Sequence, residues 1–373
     1  MNISRRRFAH LLGVGAAAAT LRPVLPNAAE GRETIAPAAN SIVRLSSNEN
    51  PYGPSAKGIA AMTNSYGIAC RYPDGPAERL VDALAKLNGV ASDEILLGDG
   101  SGEILKLCAA TFTGRANNGG NLVVGDPTFE AILAHARVAG ADVVKVPLKA
   151  DYSHDLEKMG AAARAGVVYI CNPNNPTASI TPKNDLRDFI ARTPQDTTIL
   201  VDEAYFHYAK SPDYESVIPL VKDHPNLMVA RTFSKIYGMA GLRCGYCVAQ
   251  KPVIEKMRPH QPWDSINIMA IAAALASLGD AGQVENGRRM NAEAKAFTIA
   301  ALDKMGYKTI PSEANFVMFD TRSSVTPMIK AMKEKNIEVG RLFPAMPNHM
   351  RLTIGKKSEM EAFLGAFKQV ATA

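Results

Sequence analysis

Lys235 follows the apolar run Leu227-Met228-Val229-Ala230 in "LMVARTFSK", and Arg243 stands eight residues further on. A lysine at the end of a buried strand, partly desolvated and near another cation, has a lowered pKa and can form a Schiff base. On an outer loop the same residue is an ordinary surface cation. Asp202 closes a second apolar run, Ile199-Leu200-Val201, in "VDEAY". A carboxylate there can hold the protonated nitrogen of a cofactor ring, cap a helix or, with Glu203, ligate a metal. Gly100, Ser101 and Gly102 in "GDGSGE" end a third run and open a helix, where backbone N–H groups stabilise a phosphate. A dinucleotide fingerprint does not fit, because Glu103 occupies the third glycine position. "NPNNPT", residues 172–177, follows Val167-Val168-Tyr169-Ile170-Cys171 and reads as a rigid turn rich in amides.

These turns need a common scaffold. "EILLGDG", "NLVVGDP", "GVVYICNP", "TTILVDEAY" and "LMVARTFSK" are short apolar runs ending in polar turns, and segments with helical apolar spacing lie between them, at 102–113, 128–140 and 182–193. Such alternation predicts an α/β protein whose mostly parallel sheet is flanked by helices. Right-handed crossovers place all five turns at one edge of the sheet, where such folds bind ligands. Beyond residue 260 the pattern changes to helices over 265–305 and 325–335. Between and after them come a strand "NFVMF", paired short strands at "IEVGR" and "MRLTIG", and a last helix from Ser358. That predicts a smaller C-terminal α+β domain. The expected organisation is a leader at 1–29, an arm at 30–55, a large domain at 56–260 and a small domain at 261–373.

The 373-residue chain carries 47% hydrophobic and 21% charged residues, an ordinary globular balance, and a formal net charge of +6. Four of those charges, Arg5, Arg6, Arg7 and Arg22, lie in the first 29 residues, which hold no acid. The remainder shows no long basic run, so nucleic acid is not an expected partner. The leader, "SRRRFAHLLGVGAAAATL", joins a cationic start to an apolar small-residue stretch and resembles a twin-arginine (Tat) export signal. A periplasmic protein, exported already folded by the Tat machinery, is the expectation. Five cysteines are an odd number for that compartment, and Cys244 and Cys247 have C-x-x-C spacing on a segment that reads as a strand. Positions i and i+3 of a strand face opposite sides. No histidine cluster completes a metal set.

Together these stretches resemble the fold-type I pyridoxal-phosphate-dependent aminotransferases of class I/II, most closely the histidinol-phosphate aminotransferase branch. The resemblance runs through "NENPYG", "RYPDG", "GDGSGEI", "DPTF", "NPNNPT", "VDEAY", "RTFSK", "AGLRCGY", "NF" and "RLTIG", in the family's order and spacing. It implies that Lys235 carries pyridoxal 5'-phosphate and shuttles the substrate's proton. It implies further that Asp202 pairs with the ring nitrogen, that Asn175 and Tyr205 hydrogen-bond the ring oxygen, and that Phe129 stacks on the ring. Gly100, Ser101, Gly102, Thr232, Ser234 and Arg243 would hold the phosphate, and Tyr72 would reach that of a neighbouring subunit in a homodimer with shared sites. Arg351 would clamp the substrate carboxylate, and Tyr52, Asn315 and Arg341 would lie at the substrate.

The chain departs from the family in places that bear on substrate. Ala178 stands where glycine usually follows the threonine, and residues 30–47 lack the N-terminal "PY" element that covers substrate. The small-domain strand reads Val339-Gly340-Arg341, so the arginine expected at a substrate phosphate is glycine. The expected reaction is amino transfer between an L-amino acid and a 2-oxo acid, with a substrate other than histidinol phosphate. His207, Tyr208, Trp263 and Asn267 are expected to shape a pocket for a bulky or aromatic side chain. A decarboxylase or racemase of the same fold would use the same lysine, and a non-catalytic binding module could keep the fold without the reaction.

Overall fold

The computed structural model describes residues 42–371, so the leader and most of the arm, with the missing "PY" element, lie outside the described residues. Its strands are β1 (Val43–Leu45), β2 (Ile95–Gly98), β3 (Leu122–Asp126), β4 (Val143–Pro147), β5 (Val167–Cys171), β6 (Thr198–Asp202), β7 (Leu227–Thr232), β8 (Gly245–Ala249), β9 (Phe316–Asp320), β10 (Ile337–Val339) and β11 (His349–Thr353). Seven of them form one sheet in the order β2-β8-β7-β6-β5-β3-β4. The ladders from β4 to β7 are parallel, while β8 runs antiparallel to both β7 and β2. Six strands therefore point the same way, and the five polar turns leave from one edge.

Helices cover both faces of this sheet, which is why its inner strands are apolar without interruption. Along β5, Val168 and Ile170 enter one hydrophobic cluster, and Val167, Tyr169 and Cys171 enter the other. The predicted helices form at Ser101–Phe112, Ala131–Val138 and Lys183–Arg192. Cys244 and Cys247 pack into clusters on opposite faces, and all five cysteines are free thiols. The sequence reading passed over β4, an outer strand with only Val146 buried.

The C-terminal segment builds two small sheets. β9 pairs antiparallel with β11, and their cluster includes Phe319, Leu352, Phe363 and Phe367. Here the structure corrects the sequence reading: β10 forms its ladder with β1, in parallel, not with β11. Only the Gly340 N–H reaches across, donating to the Arg351 carbonyl at 2.8 Å. A three-residue strand 294 positions upstream, seen in a ladder with Val43↔Ile337 as partners, leaves no local pattern to read. Helix Ile268–Leu278 joins the core of the large sheet through Ala270, Ile271, Ala273 and Ala274.

Glu203, next to Asp202, serves the scaffold. It is 1% exposed and accepts from Arg231 Nη2 at 2.8 Å and Nε at 3.1 Å, from Ser216 Oγ at 2.8 Å and from the Val217 N–H at 2.8 Å. Arg231 also donates to Asn88 Oδ1 at 3.1 Å and lies over the Phe206 ring. Removing one partner of such a pair leaves a buried charge uncompensated, so Glu203→Ala should lose about 3–5 kcal/mol in urea unfolding. A loss under about 1 kcal/mol would show that the pair is no structural tie.

Candidate active site

A cavity of about 640 Å³ opens at the edge where the five turns converge. Ser101, Gly102, Phe129, Asn175, Asp202, Tyr205, Thr232, Ser234, Lys235, Arg243, Arg341 and Arg351 all line it. The register explains part of this: Cys171, Asp202 and Ala230 lie side by side on β5, β6 and β7. "NPNNPT" and the turn carrying Lys235 thus start beside the carboxylate.

Asp202 is 2% exposed, and burial lifts its carboxyl from 3.8 to about 6. It stays an acceptor because Tyr169 Oη donates to Oδ2 at 2.9 Å and the Ala204 N–H donates to Oδ1 at 3.1 Å. Lys235 is partly buried, and Nζ donates to the Asn48 carbonyl at 3.2 Å. Desolvation, reinforced by the Arg351 charge, lowers its pKa to about 8. Asn48 Nδ2 and Asn175 Nδ2 both donate to Tyr205 Oη, at 3.0 and 3.4 Å.

At the other end, helix Ser101–Phe112 begins with no side chain capping it, and its first residues, Ser101 and Gly102, line the cavity. Thr232 Oγ1 donates to Ser234 Oγ at 2.9 Å, and Arg243 Nη1 reaches Ser234 Oγ at 3.5 Å. Gly100 does not line the cavity. It has φ +73°, and a Cβ there would fall 2.2 Å from Arg243 Nη2, so glycine is what lets the guanidinium in. A dianion-sized cradle of hydroxyls, helix N–H groups and one arginine results.

Arg351, from β11, is 8% exposed. It donates to Asn175 Oδ1 at 2.7 Å and to the Ser46 carbonyl, while its Nε has no partner. Among the described residues no carboxylate pairs with it, and burial lowers its pKa to about 10.

Other predicted residues fall elsewhere. Tyr52 is 42% exposed beside Lys356, outside the cavity. Asn315 is buried behind the wall, donating to the Asn48 carbonyl at 3.0 Å. Tyr72 is 79% exposed and does not line the cavity. Trp263 is 95% exposed, Asn267 caps helix Ile268–Leu278, and neither half-buried His207 nor buried Tyr208 lines the cavity. None of these four shapes the pocket in this chain. Sequence reasoning missed Asn48, although "NENPYG" contains it; its positive φ of 54° turns its carbonyl and amide toward Lys235 and Tyr205. It also missed Tyr169, whose signal was a lone hydroxyl in an apolar strand.

The aminotransferase class I and II family model matches residues 40–367. The chain belongs to the class I and II aminotransferases. It is 38% identical over 332 residues to a histidinol-phosphate aminotransferase of Symbiobacterium thermophilum, covering 88% of this chain and 90% of that one. A histidinol-phosphate aminotransferase of Caldicellulosiruptor saccharolyticus is 37% identical, covering 88% and 92%. Among solved structures, histidinol-phosphate aminotransferase from Sinorhizobium meliloti in complex with pyridoxal-5'-phosphate superposes with a TM-score of 0.82 at 25% identity, covering 96% of this chain and 99% of that one. The protein is a pyridoxal-phosphate-dependent aminotransferase of fold type I. The residues present suit that cofactor: a glycine-gated phosphate cradle, a buried acceptor for a ring N–H, and a desolvated amine.

The Lys235 shift has a sign that can be measured. The unfolded chain keeps its ammonium up to about pH 10.4, while the folded one releases the proton near pH 8, so the lysine costs stability below pH 8 and the cost fades toward pH 10.4. Capture of added pyridoxal phosphate by cofactor-free protein should rise about tenfold per pH unit below 8 and then level off. A rate still climbing above pH 9.5 would show an ordinary, solvated lysine.

Proposed function

We propose that this aminotransferase takes an uncharged, bulky amino donor and not histidinol phosphate. The observation that carries amino-acid binding is Arg351, a buried guanidinium at the cavity with a free Nε and no acidic partner among the described residues. Arginine grips a carboxylate with two parallel hydrogen bonds, so the donor's α-carboxylate belongs there. Pyridoxal phosphate, when bound, supplies an electron sink for negative charge at the donor's α carbon. Lys235 Nζ takes and returns the α proton. Asp202 would hold the protonated ring nitrogen, Asn175 and Tyr205 the ring oxygen, Phe129 would pack on the ring, and Ser101, Gly102, Thr232, Ser234 and Arg243 would hold the phosphate.

Selectivity rests on β10 and the residues after it. A Cβ at Gly340 would lie 2.7 Å from the Arg351 carbonyl and 2.9 Å from its Cβ, so no larger side chain fits there without a shift. Arg341, one residue on, lines the cavity but pairs with Glu130 and lies 4.3 Å over the Phe343 ring. The second cation expected for a substrate phosphate is thus absent at one position and neutralised at the next. Ile329, Val339 and Phe343 supply apolar wall.

Half-reactions followed by loss of the cofactor's visible band test this reading. L-Phenylalanine and other apolar donors should exceed L-glutamate and histidinol phosphate at least about tenfold in kcat/KM, the discrimination a single well-placed pocket contact supplies. Glu130→Gln should narrow the gap by improving acidic donors. Histidinol phosphate as the best donor would overturn the proposal, and carbon dioxide release or racemisation without bleaching would favour another reaction of the fold.

We also propose that the chain leaves the cytoplasm folded, through the Tat machinery, and works in the periplasm as a homodimer whose exposed Tyr72 reaches the neighbouring site. Residues 56–260 and 261–373 would act as a large and a small domain around the cavity, with 30–55 as an arm and helix Ile268–Leu278 staying with the large one. The Ser4-Arg5-Arg6-Arg7-Phe8 stretch and the exposure of Tyr72 support these readings. Export of a fused reporter should stop when Arg5, Arg6 and Arg7 become lysine. Tyr72→Phe should loosen pyridoxal phosphate without changing the oligomer, and a monomer by light scattering would exclude shared sites.

A further inference from the structure

We propose that Tyr169 is a positioning residue of this reaction, fixing the charge and orientation of Asp202 from the middle of β5. The proposal rests on the reading of Asp202 as the partner of the cofactor's ring nitrogen.

Tyr169 is fully buried in a strand whose other members are valine, isoleucine and cysteine. A phenylalanine would fill the same apolar space, so the hydroxyl is the part that packing does not explain. Buried tyrosine hydroxyls take a hydrogen-bond partner, and this one donates to Asp202 Oδ2 at 2.9 Å. The register brings the two side chains within reach. Tyr169 lies opposite Leu200 in the β5–β6 ladder, and Asp202 is two residues beyond Leu200, on the same face.

The carboxylate has few other sources of compensation. Lys235 Nζ donates to the carbonyls of Asn48 and Ser47, at 3.2 and 3.5 Å, not to Asp202. The Ala204 N–H holds only Oδ1. Two donors on different oxygens fix the plane of the group and leave each oxygen a lone pair for a ring N–H. Burial works against ionisation of Asp202, and the Tyr169 hydrogen bond works for it. Tyr169 itself, pushed well above its usual range by burial and by the Asp202 charge, remains a donor at every working pH. Without the hydroxyl, Asp202 would protonate more readily and turn more freely, and the ring nitrogen would lose its fixed acceptor.

The test uses the full holoenzyme and a Tyr169→Phe variant, with Asp202→Asn and the double variant completing a cycle. Tyr169→Phe should fold and load pyridoxal phosphate. Its half-saturating cofactor concentration should rise about fivefold, and kcat should fall about tenfold with the donor KM within about twofold, the signature of an interaction that acts in the reaction step. The pH midpoint of the bound cofactor's visible band should move with it. In the Asp202→Asn background, adding Tyr169→Phe should change cofactor half-saturation by less than about twofold, because the hydroxyl has lost the carboxylate it acts on. Equal losses in both backgrounds would show a structural role independent of Asp202 and overturn the proposal, as would a single variant with unchanged kcat, band and cofactor affinity. If Asp202→Asn alone leaves cofactor affinity and turnover intact, the parent reading of Asp202 fails instead.

Discussion

A carboxylate almost wholly withdrawn from water sets the terms for the rest of this molecule. Asp202 ends a central strand at 2% exposure, and burial works against its ionisation. The parallel sheet supplies what water does not: a tyrosine hydroxyl from the next strand and a backbone N–H from the turn that follows. The same register brings "NPNNPT" and the Lys235 turn out beside it, so amide, carboxylate and amine share one edge.

The cavity is closed by chain from distant places. Asn48 joins four of them: its carbonyl accepts from Lys235 and Asn315, its amide donates to Tyr205, and its N–H donates to Thr353 Oγ1 at 2.9 Å. Arg351, from the C-terminal strand pair, bonds Asn175 in the loop after β5. The Arg351 guanidinium and the Asn175 amide are therefore coupled directly.

Departures from the family pattern carry physical consequences. Ala178, where glycine is usual, adopts φ +60° and is fully buried. An L-residue there costs about 1–2 kcal/mol. The Ala178 N–H donates to the Asn174 carbonyl at 2.8 Å, and its own carbonyl accepts from Glu313 at 2.9 Å, so the loop keeps its shape against that strain. Gly340 is the reverse case: the approach of the Arg351 backbone leaves room only for hydrogen.

Much of this was legible in the chain itself. Apolar runs ending in polar turns, separated by helical segments, determined the parallel sheet and its chemically active edge, because alternation and turn chemistry are local properties. The residue types at that edge, lysine, aspartate and asparagine, followed from the same runs. Pairings between remote segments were not legible. The β1–β10 ladder, the turning of Asn48 into the site, the Arg341–Glu130 pair and the Tyr169 contact depend on register and side-chain direction across strands far apart in sequence. Tyr52 and Trp263 show the converse, since aromatic character alone says nothing about which side of the wall a ring will occupy. Sequence fixes which chemistry is available at the end of each strand, whereas only packing decides which groups lose water together, and so which of them change their proton affinity.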